Sequence, residues 1–187
     1  MKRNIYSSQQ IRALFIGMAF FLSAFFGCIN VKAQNGASSV TTQQILDAHN
    51  AYRSEVGIPP LSWSEDLAKY AQNWANELVK RDCKMQHRPN VDSDTWKQLY
   101  GENIYWGGGS NWTPTALDAI ADWGTEKKNF NFNSRTCKSG AICGHYTQMI
   151  WKNSTQVGCG IATCADGNVI VVCNYNPPGN YSGEKPY

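Results

Sequence analysis

Charge is sparse in this 187-residue chain: 17% of its residues are Asp, Glu, Lys or Arg, and no long run of one sign occurs. Combined with 12% aromatic and 42% hydrophobic residues, that scarcity excludes a disordered chain and leaves one domain with ample material for a core. Absent as well are G-x-S-x-G, H-E-x-x-H and any phosphate-binding glycine-rich loop. The common serine hydrolase, zincin and nucleotide-binding classes fall away with them. Internal repeats are lacking, and histidine is scarce, with only three in the chain. The longest largely apolar run, Ala13 to Phe26, is fourteen residues and too short to span a bilayer comfortably.

That run is preceded by Lys2, Arg3 and Arg12 and followed by Val31-Lys32-Ala33. A positive region, an apolar region and an A-x-A-like site predict a signal peptide over residues 1–33, leaving a secreted, extracellular domain over 34–187. A bacterial lipoprotein site at Phe25-Phe26-Gly27-Cys28 is a poorer match, because Phe replaces the usual aliphatic residue. Four of the 17 basic residues leave with the leader, so 13 remain against 14 acids and the formal +3 becomes −1. Nucleic acid is therefore not an implied partner. Cys28 leaves too, and the six remaining cysteines in an oxidising compartment read as disulfides rather than zinc ligands.

Along the mature chain, Thr41-Thr42-Gln43-Gln44 fits a capping box, with Ile45, Ala48 and Tyr52 following at helical spacing. Gly57 and Pro59-Pro60 end that helix. Ser64 caps a second, whose stripe is Leu67, Tyr70, Ala71, Trp74 and Leu78. Thr113-Pro114 opens a third, with Leu117, Ile120 and Trp123 on one side. Residues 83–112 read mostly as loop. The last third reads as β, with strands over 157–163 and 168–175 flanking the turn Ala165-Asp166-Gly167. If the register centres on Asp166, Cys159 faces Cys173. Cys137 and Cys143 bracket a short loop that a bond could close. Six cysteines admit many connectivities, but those two bonds would leave Cys83 for Cys164.

Four stretches then carry a family resemblance. Gly144-His-Tyr-Thr-Gln-Met-Ile-Trp-Lys-Asn-Ser154 resembles the first signature of the CAP superfamily of cysteine-rich secretory, antigen 5 and pathogenesis-related class one proteins. Ile170-Val-Val-Cys-Asn-Tyr-Asn-Pro-Pro-Gly-Asn-Tyr181 resembles its second, and His49-Asn-Ala-Tyr-Arg53 and Gly101-Glu-Asn-Ile104 its two shorter motifs. The six cysteines and the ending Glu184-Lys-Pro-Tyr187 are most similar to the plant class one branch. The resemblance implies an α+β fold, a three-layer α-β-α sandwich around a small antiparallel sheet. It also implies disulfides Cys83–Cys164, Cys137–Cys143 and Cys159–Cys173.

It further implies a cleft holding His87, Glu102, Glu126 and His145. Two imidazoles and two carboxylates suit a divalent metal such as zinc, although a polar, water-filled cleft is an equal reading and no cofactor is required. His49, on the buried-looking side of the first helix, reads as a hydrogen-bonded core residue. With every mature cysteine placed in a disulfide, no thiolate nucleophile remains, and a binding protein is expected rather than an enzyme; a metal-dependent hydrolase is the third reading. Tyr100, Tyr105, Trp106 and Trp112 crowd a glycine-rich loop whose spacing loosely resembles the family's sterol-linked pattern, against a bland reading as ordinary packing. Sterols or related lipids are thus the expected partners, in antimicrobial defence.

The tail 177–187 resembles the family's signalling peptide, released between Asn176 and Pro177, and its composition favours an exposed, extended segment. A precursor of that signalling peptide, or an extracellular protein-binding module, is the second reading, and an extracellular protease or receptor would then be a partner. Sequons stand at Asn111, Asn153 and Asn180. No heptad or exposed apolar strand argues against a monomer.

Overall fold

Capping chemistry sets where the helices begin. Thr41 Oγ1 accepts from the Gln44 N–H at 3.2 Å while Gln44 Oε1 accepts from the Thr41 N–H at 2.9 Å, and this box opens α1 (Thr42–Glu55). Ser64 caps α2 (Glu65–Lys80) through the Leu67 N–H. The computed structural model describes residues 40–89, 96–109 and 111–187, so the signal-peptide reading of 1–33 lies outside the described residues. No helix among the described residues is long and apolar enough to cross a membrane.

The third helix starts later than Thr113-Pro114 suggests. Thr115 is the cap of α3 (Ala116–Thr125), because Asp118 three residues on closes a second capping box with it; Pro114 stands before the cap, outside the helix. A 3-10 turn over Glu126–Asn129 follows, and then come the short α4 (Gly144–Met149) and the strands.

Among the described residues there are six strands: β1 (Ser62–Trp63), β2 (Gly101–Gly107), β3 (Phe130–Asn131), β4 (Thr136–Cys137), β5 (Gln156–Thr163) and β6 (Val169–Asn176). The main sheet has the order β1-β5-β6-β2, and β3 and β4 form a separate hairpin. β5, β6 and β2 are antiparallel. The edge departs from the expected pattern, since β1 pairs with β5 in parallel, over two residues only.

β2 corrects the reading of 83–112 as mostly loop. It pairs with β6 along its whole length, from Gly101↔Tyr175 to Gly107↔Val169. Ile104-Tyr105-Trp106 is a β-favouring run, disguised by the glycines on either side. The β5–β6 register sets Cys159 opposite Cys173 across a turn in which Gly167 takes φ +84°. All three expected disulfides form: Cys159–Cys173, Cys83–Cys164 and Cys137–Cys143.

Seven of the eight residues of β6 are buried, because helices cover both faces of the strand. Ile170 and Val172 pack with Ile104 beneath Ala71, Trp74, Ala75 and Leu78 of α2. Val171, Cys173 and Tyr175 face Ile45 of α1, Ile120 and Trp123 of α3, and Tyr146 and Met149 of α4. These are the three layers of an α-β-α sandwich. α2 approaches β5 main chain to main chain: a Cβ at Gly158 would run into Leu67 and Ala68 backbone, and one at Gly160 into that of Ala71 and Gln72. Gln72 then serves as a surrogate strand, its amide bonding both the N–H (3.0 Å) and the carbonyl (2.8 Å) of Ile161.

On the other side of the sheet, Arg53 of α1 is almost wholly buried without a carboxylate. Its guanidinium donates to the carbonyls of Pro59 (2.7 Å), Met149 (3.0 Å), Trp151 (2.8 Å) and Ser154 (2.9 Å). Burial lowers its pKa to about 10, so it stays charged at neutral pH. The carbonyls it holds include those at the C-terminal end of α4, where a cation is favoured.

Replacing Gly160 by Ala forces α2 off the sheet and is expected to destabilise the domain by about 3 kcal/mol. Gly109→Ala meets no atom within 4 Å, so denaturant titration of that variant should differ from the parent by no more than about 0.5 kcal/mol.

Candidate functional site

The four residues implied as a cleft tetrad form two His–carboxylate pairs on separate supports. Glu102, at the start of β2, has a fully buried side chain; its Oε1 accepts from His87 Nδ1 (2.9 Å) and from the Arg88 N–H (3.1 Å), and Asn174 Nδ2 donates to Oε2 (3.3 Å). Arg88 is itself buried, its Nε 3.7 Å from Glu102 Oε2. The guanidinium lies 3.6 Å from the Tyr70 ring centroid, with Trp74 and Trp96 at 5.2 and 5.4 Å, and donates to the Tyr70 carbonyl. A cation in an aromatic box thus balances the buried carboxylate.

Glu126 anchors the second pair from the turn after α3. Its Oε1 accepts from His145 Nδ1 (2.7 Å), and its Oε2 caps α4 through the N–H groups of His145 (2.9 Å) and Tyr146 (3.2 Å). Burial alone would raise the Glu126 pKa, but these hydrogen bonds outweigh it and the net direction is down. The imidazole of His145 stacks on Trp123, with centroids 6.0 Å apart.

Each histidine therefore spends Nδ1 on a carboxylate and has no partner for Nε2 among the described residues, the arrangement in which an acid orients a metal-binding imidazole. In kind, the donor set fits a divalent ion. In place it is looser: among the described residues, no three of these four bring ligand atoms within 4.8 Å of one another. A tighter group does exist, at His49, Cys159 and Cys173. It offers no free ligand, because the sulfurs are bonded to each other and both ring nitrogens of His49 are used.

His87 and Glu102 line an open cleft of about 340 Å³ with Tyr100, Gly101, Gln98, Gln148 and the tail residues Pro178, Gly179 and Asn180. The tail is irregular and mostly exposed, as its composition suggests, but it is pinned to the domain by hydrogen bonds. Pro177 accepts from Ser154 Oγ (2.7 Å), Gly179 N–H donates to Gln148 (3.1 Å), Asn180 bonds Gly144 and Thr147, and Pro186 accepts from the Lys152 N–H (2.7 Å). The Asn176 carbonyl, at the suggested release site, is taken by the Thr155 N–H at 2.9 Å.

The four aromatics do not act as one loop. Tyr100 packs edge-on to Tyr70 and faces the cleft. Tyr105 points into the α1/α3/α4 side of the core. Trp106, next along the strand, projects from the opposite face and is 47% exposed; Trp112 is 50% exposed and pairs back to Gly109 in a tight turn. Sequence reasoning missed an apolar cleft of about 350 Å³ between α1 and α3, lined by Ala48, Ala51, Tyr52, Leu117, Ile120 and Ala121 with Glu55 at its edge. The run of alanines facing one another at helical spacing was the available signal.

His49 is the core residue expected. Its Nδ1–H donates to the Ile45 carbonyl (2.9 Å), and its Nε2 accepts from the Tyr175 hydroxyl (2.9 Å). Tyr175 in turn accepts from Asn103 Nδ2, which also donates to the His145 carbonyl at 3.0 Å. The core is thereby tied to the second pair.

Comparison with known proteins identifies the family. The model of the Cysteine-rich secretory protein family (CAP) matches residues 46–175, and the chain belongs to that family. Within it, the chain is similar to plant pathogenesis-related proteins. It is 44% identical over 156 residues to pathogenesis-related protein 1A of Nicotiana tabacum, covering 83% of each. It is 40% identical to pathogenesis-related protein 1 of Arabidopsis thaliana, covering 89% of this chain and 92% of that one. Among solved structures, venom allergen-like protein 4 of Schistosoma mansoni aligns with TM-score 0.57 and 30% identity over 79% of this chain and 95% of its own. NaASP2 with Zn2+ shares the fold at TM-score 0.63 and 23% identity over 81% and 88%. The three disulfides suit the oxidising, extracellular setting of such proteins.

Burial lowers the pKa of His49 to about 4, aided by the charge of Arg53 and opposed by the bond to Ile45. The unfolded chain therefore binds a proton first as pH falls. The stability that neutral His49 contributes is complete above about 6.5 and declines toward pH 4, by about 3 kcal/mol in all. Denaturation midpoints followed across that window should fall, and His49→Gln should flatten the fall.

Proposed function

We propose that this protein acts outside the cell as a non-enzymatic defence protein that binds a sterol or related lipid. The observation that carries this reading is the pair Trp106 and Trp112, two large aromatic side chains about half exposed, one on a paired strand and one bridged to Gly109. Flat indole faces presented to solvent can cover a planar sterol. Similarity to plant pathogenesis-related proteins supports the defence setting. The apolar α1–α3 cleft, about 350 Å³, offers a second surface for a lipid.

A divalent metal is the secondary reading at the His–carboxylate pairs. His87 and His145 would supply Nε2, with Glu102 and Glu126 orienting the rings, and a metal there would serve as a Lewis acid or a structural clamp. The pinning of the tail by main-chain bonds weighs against easy release at Asn176–Pro177, so a peptide-precursor role stands third.

Binding of a labelled sterol to the folded mature domain should saturate near one site per chain. Joint replacement of Trp106 and Trp112 by Ala is expected to weaken it about tenfold with the unfolding transition unchanged. Ala51→Trp, which fills the helix cleft, should weaken acyl-chain ligands instead. Unaltered sterol affinity in the double variant removes the indoles from the account. For the metal reading, zinc titration by calorimetry should show binding lost in the His87→Ala, His145→Ala double variant.

A further inference from the structure

Between Lys127 and Cys143 the chain reads KKNFNFNSRTCKSGAIC, with four basic residues and no acid, inside a mature domain predicted to be slightly acidic. The structure gathers this segment into one platform. β3 and β4 pair Phe130 with Cys137 and Asn131 with Thr136, and the Cys137–Cys143 disulfide closes the loop beyond. Asn129 Nδ2 donates to the Ile142 carbonyl (2.8 Å), and the Lys138 N–H donates to the Asn129 carbonyl (2.8 Å).

Every residue from 131 to 140 is exposed. Two large apolar side chains stand out of it, Phe132 at 44% exposure and Ile142 at 71%. Phe132 rests edge-on against buried Phe130, centroids 5.1 Å apart, so its direction is set by the core.

The charges around it are mostly of one sign. Lys127 is paired with Glu55 at 2.5 Å. Arg135 lies over the Tyr187 ring at 5.2 Å and shares a shallow cleft with Glu184, the one acid lining that cleft. Lys128 and Lys138 are exposed, the Lys138 ammonium resting on the Lys128 carbonyl at 2.6 Å.

We propose that this platform docks on an anionic lipid surface. Phe132 and Ile142 enter the interfacial region while Lys128, Lys138 and Arg135 meet phosphate and carboxylate headgroups. A soluble polyanion would satisfy the cations but give the two apolar side chains no reason to stand in water, so a lipid surface is favoured. Cross-linking by the disulfide and the β3–β4 pairing means little order is lost on docking. The proposal does not depend on sterol binding, and sterol-free vesicles test it separately.

Cosedimentation of the mature, oxidised protein with phosphatidylcholine vesicles containing about 30 mol % phosphatidylserine at low salt is the measurement. Binding is expected, with loss of about tenfold on pure phosphatidylcholine or at about 0.5 M salt. Lys128→Gln with Lys138→Gln should lower it about tenfold, and Phe132→Ser with Ile142→Ser by a similar factor. Failure to bind the anionic vesicles overturns the proposal, as does binding that neither double variant alters. Capture by heparin that depends on the lysines but not on Phe132 and Ile142, without vesicle binding, assigns the platform to a polyanion and also overturns it.

Discussion

One guanidinium holds together the layer of α1, α3 and α4 on one face of this sandwich. Arg53 projects from α1 into a space bounded by the Pro59 turn and the chain from Met149 to Ser154, and every strong partner it has is a main-chain carbonyl. All but the Pro59 carbonyl belong to the end of a six-residue helix and the irregular chain after it, where the Trp151 carbonyl also accepts from the Ser154 N–H. The cation satisfies them and fixes where α4 ends. Because α4 carries His145 at its other end, the position of the second His–carboxylate pair follows from a residue on a different helix. No hydrophobic side chain could substitute, since filling the same volume would leave several buried carbonyls unpaired.

The same logic runs through the rest of the polar interior. Asn103, Tyr175 and His49 pass one hydrogen-bond chain across the sheet's helical face, and Arg88 with Glu102 does comparable work near α2. In each case a buried polar group links elements far apart in sequence. The apolar layers would tolerate small slippage, whereas these directional bonds would not.

Much of this architecture could be read from residues alone, for identifiable reasons. The β5–β6 hairpin was legible because Asp166-Gly167 marks its turn and a period of two then sets Cys159 against Cys173. α1 and α2 were legible from caps and stripes. β2 was not, because Gly101 and Gly107 bracket a short run and the strand draws its identity from pairing with β6 rather than from its own composition. The cap of α3 was misplaced by two residues because Pro114 is a conspicuous mark, while Thr115 with Asp118 is the pair that makes hydrogen bonds. Of the candidate site, the four residues came from family motifs, whereas which histidine meets which acid came from the structure. The aromatic box around Arg88, and the distance that keeps the two pairs apart, depend on chain paths that no local pattern encodes.

The seating of the tail has a consequence for how the domain could be processed. Pro178, Gly179 and Asn180 form one wall of the cleft beside His87, and the tail occupies the main-chain N–H of Lys152, the hydroxyl of Ser154 and the side chain of Gln148. Gly179 lies against the Trp151 ring, which has room there only for a residue without a side chain. Excising the segment would take the partner from the Lys152 N–H and from Gln148 Oε1, leave Ser154 Oγ with only the bond from Gln148 Nε2, and bare that indole at once. Cleavage would therefore be a one-way event that trades one molecule for two different ones, and an intact cleft and a liberated peptide would not coexist on the same chain.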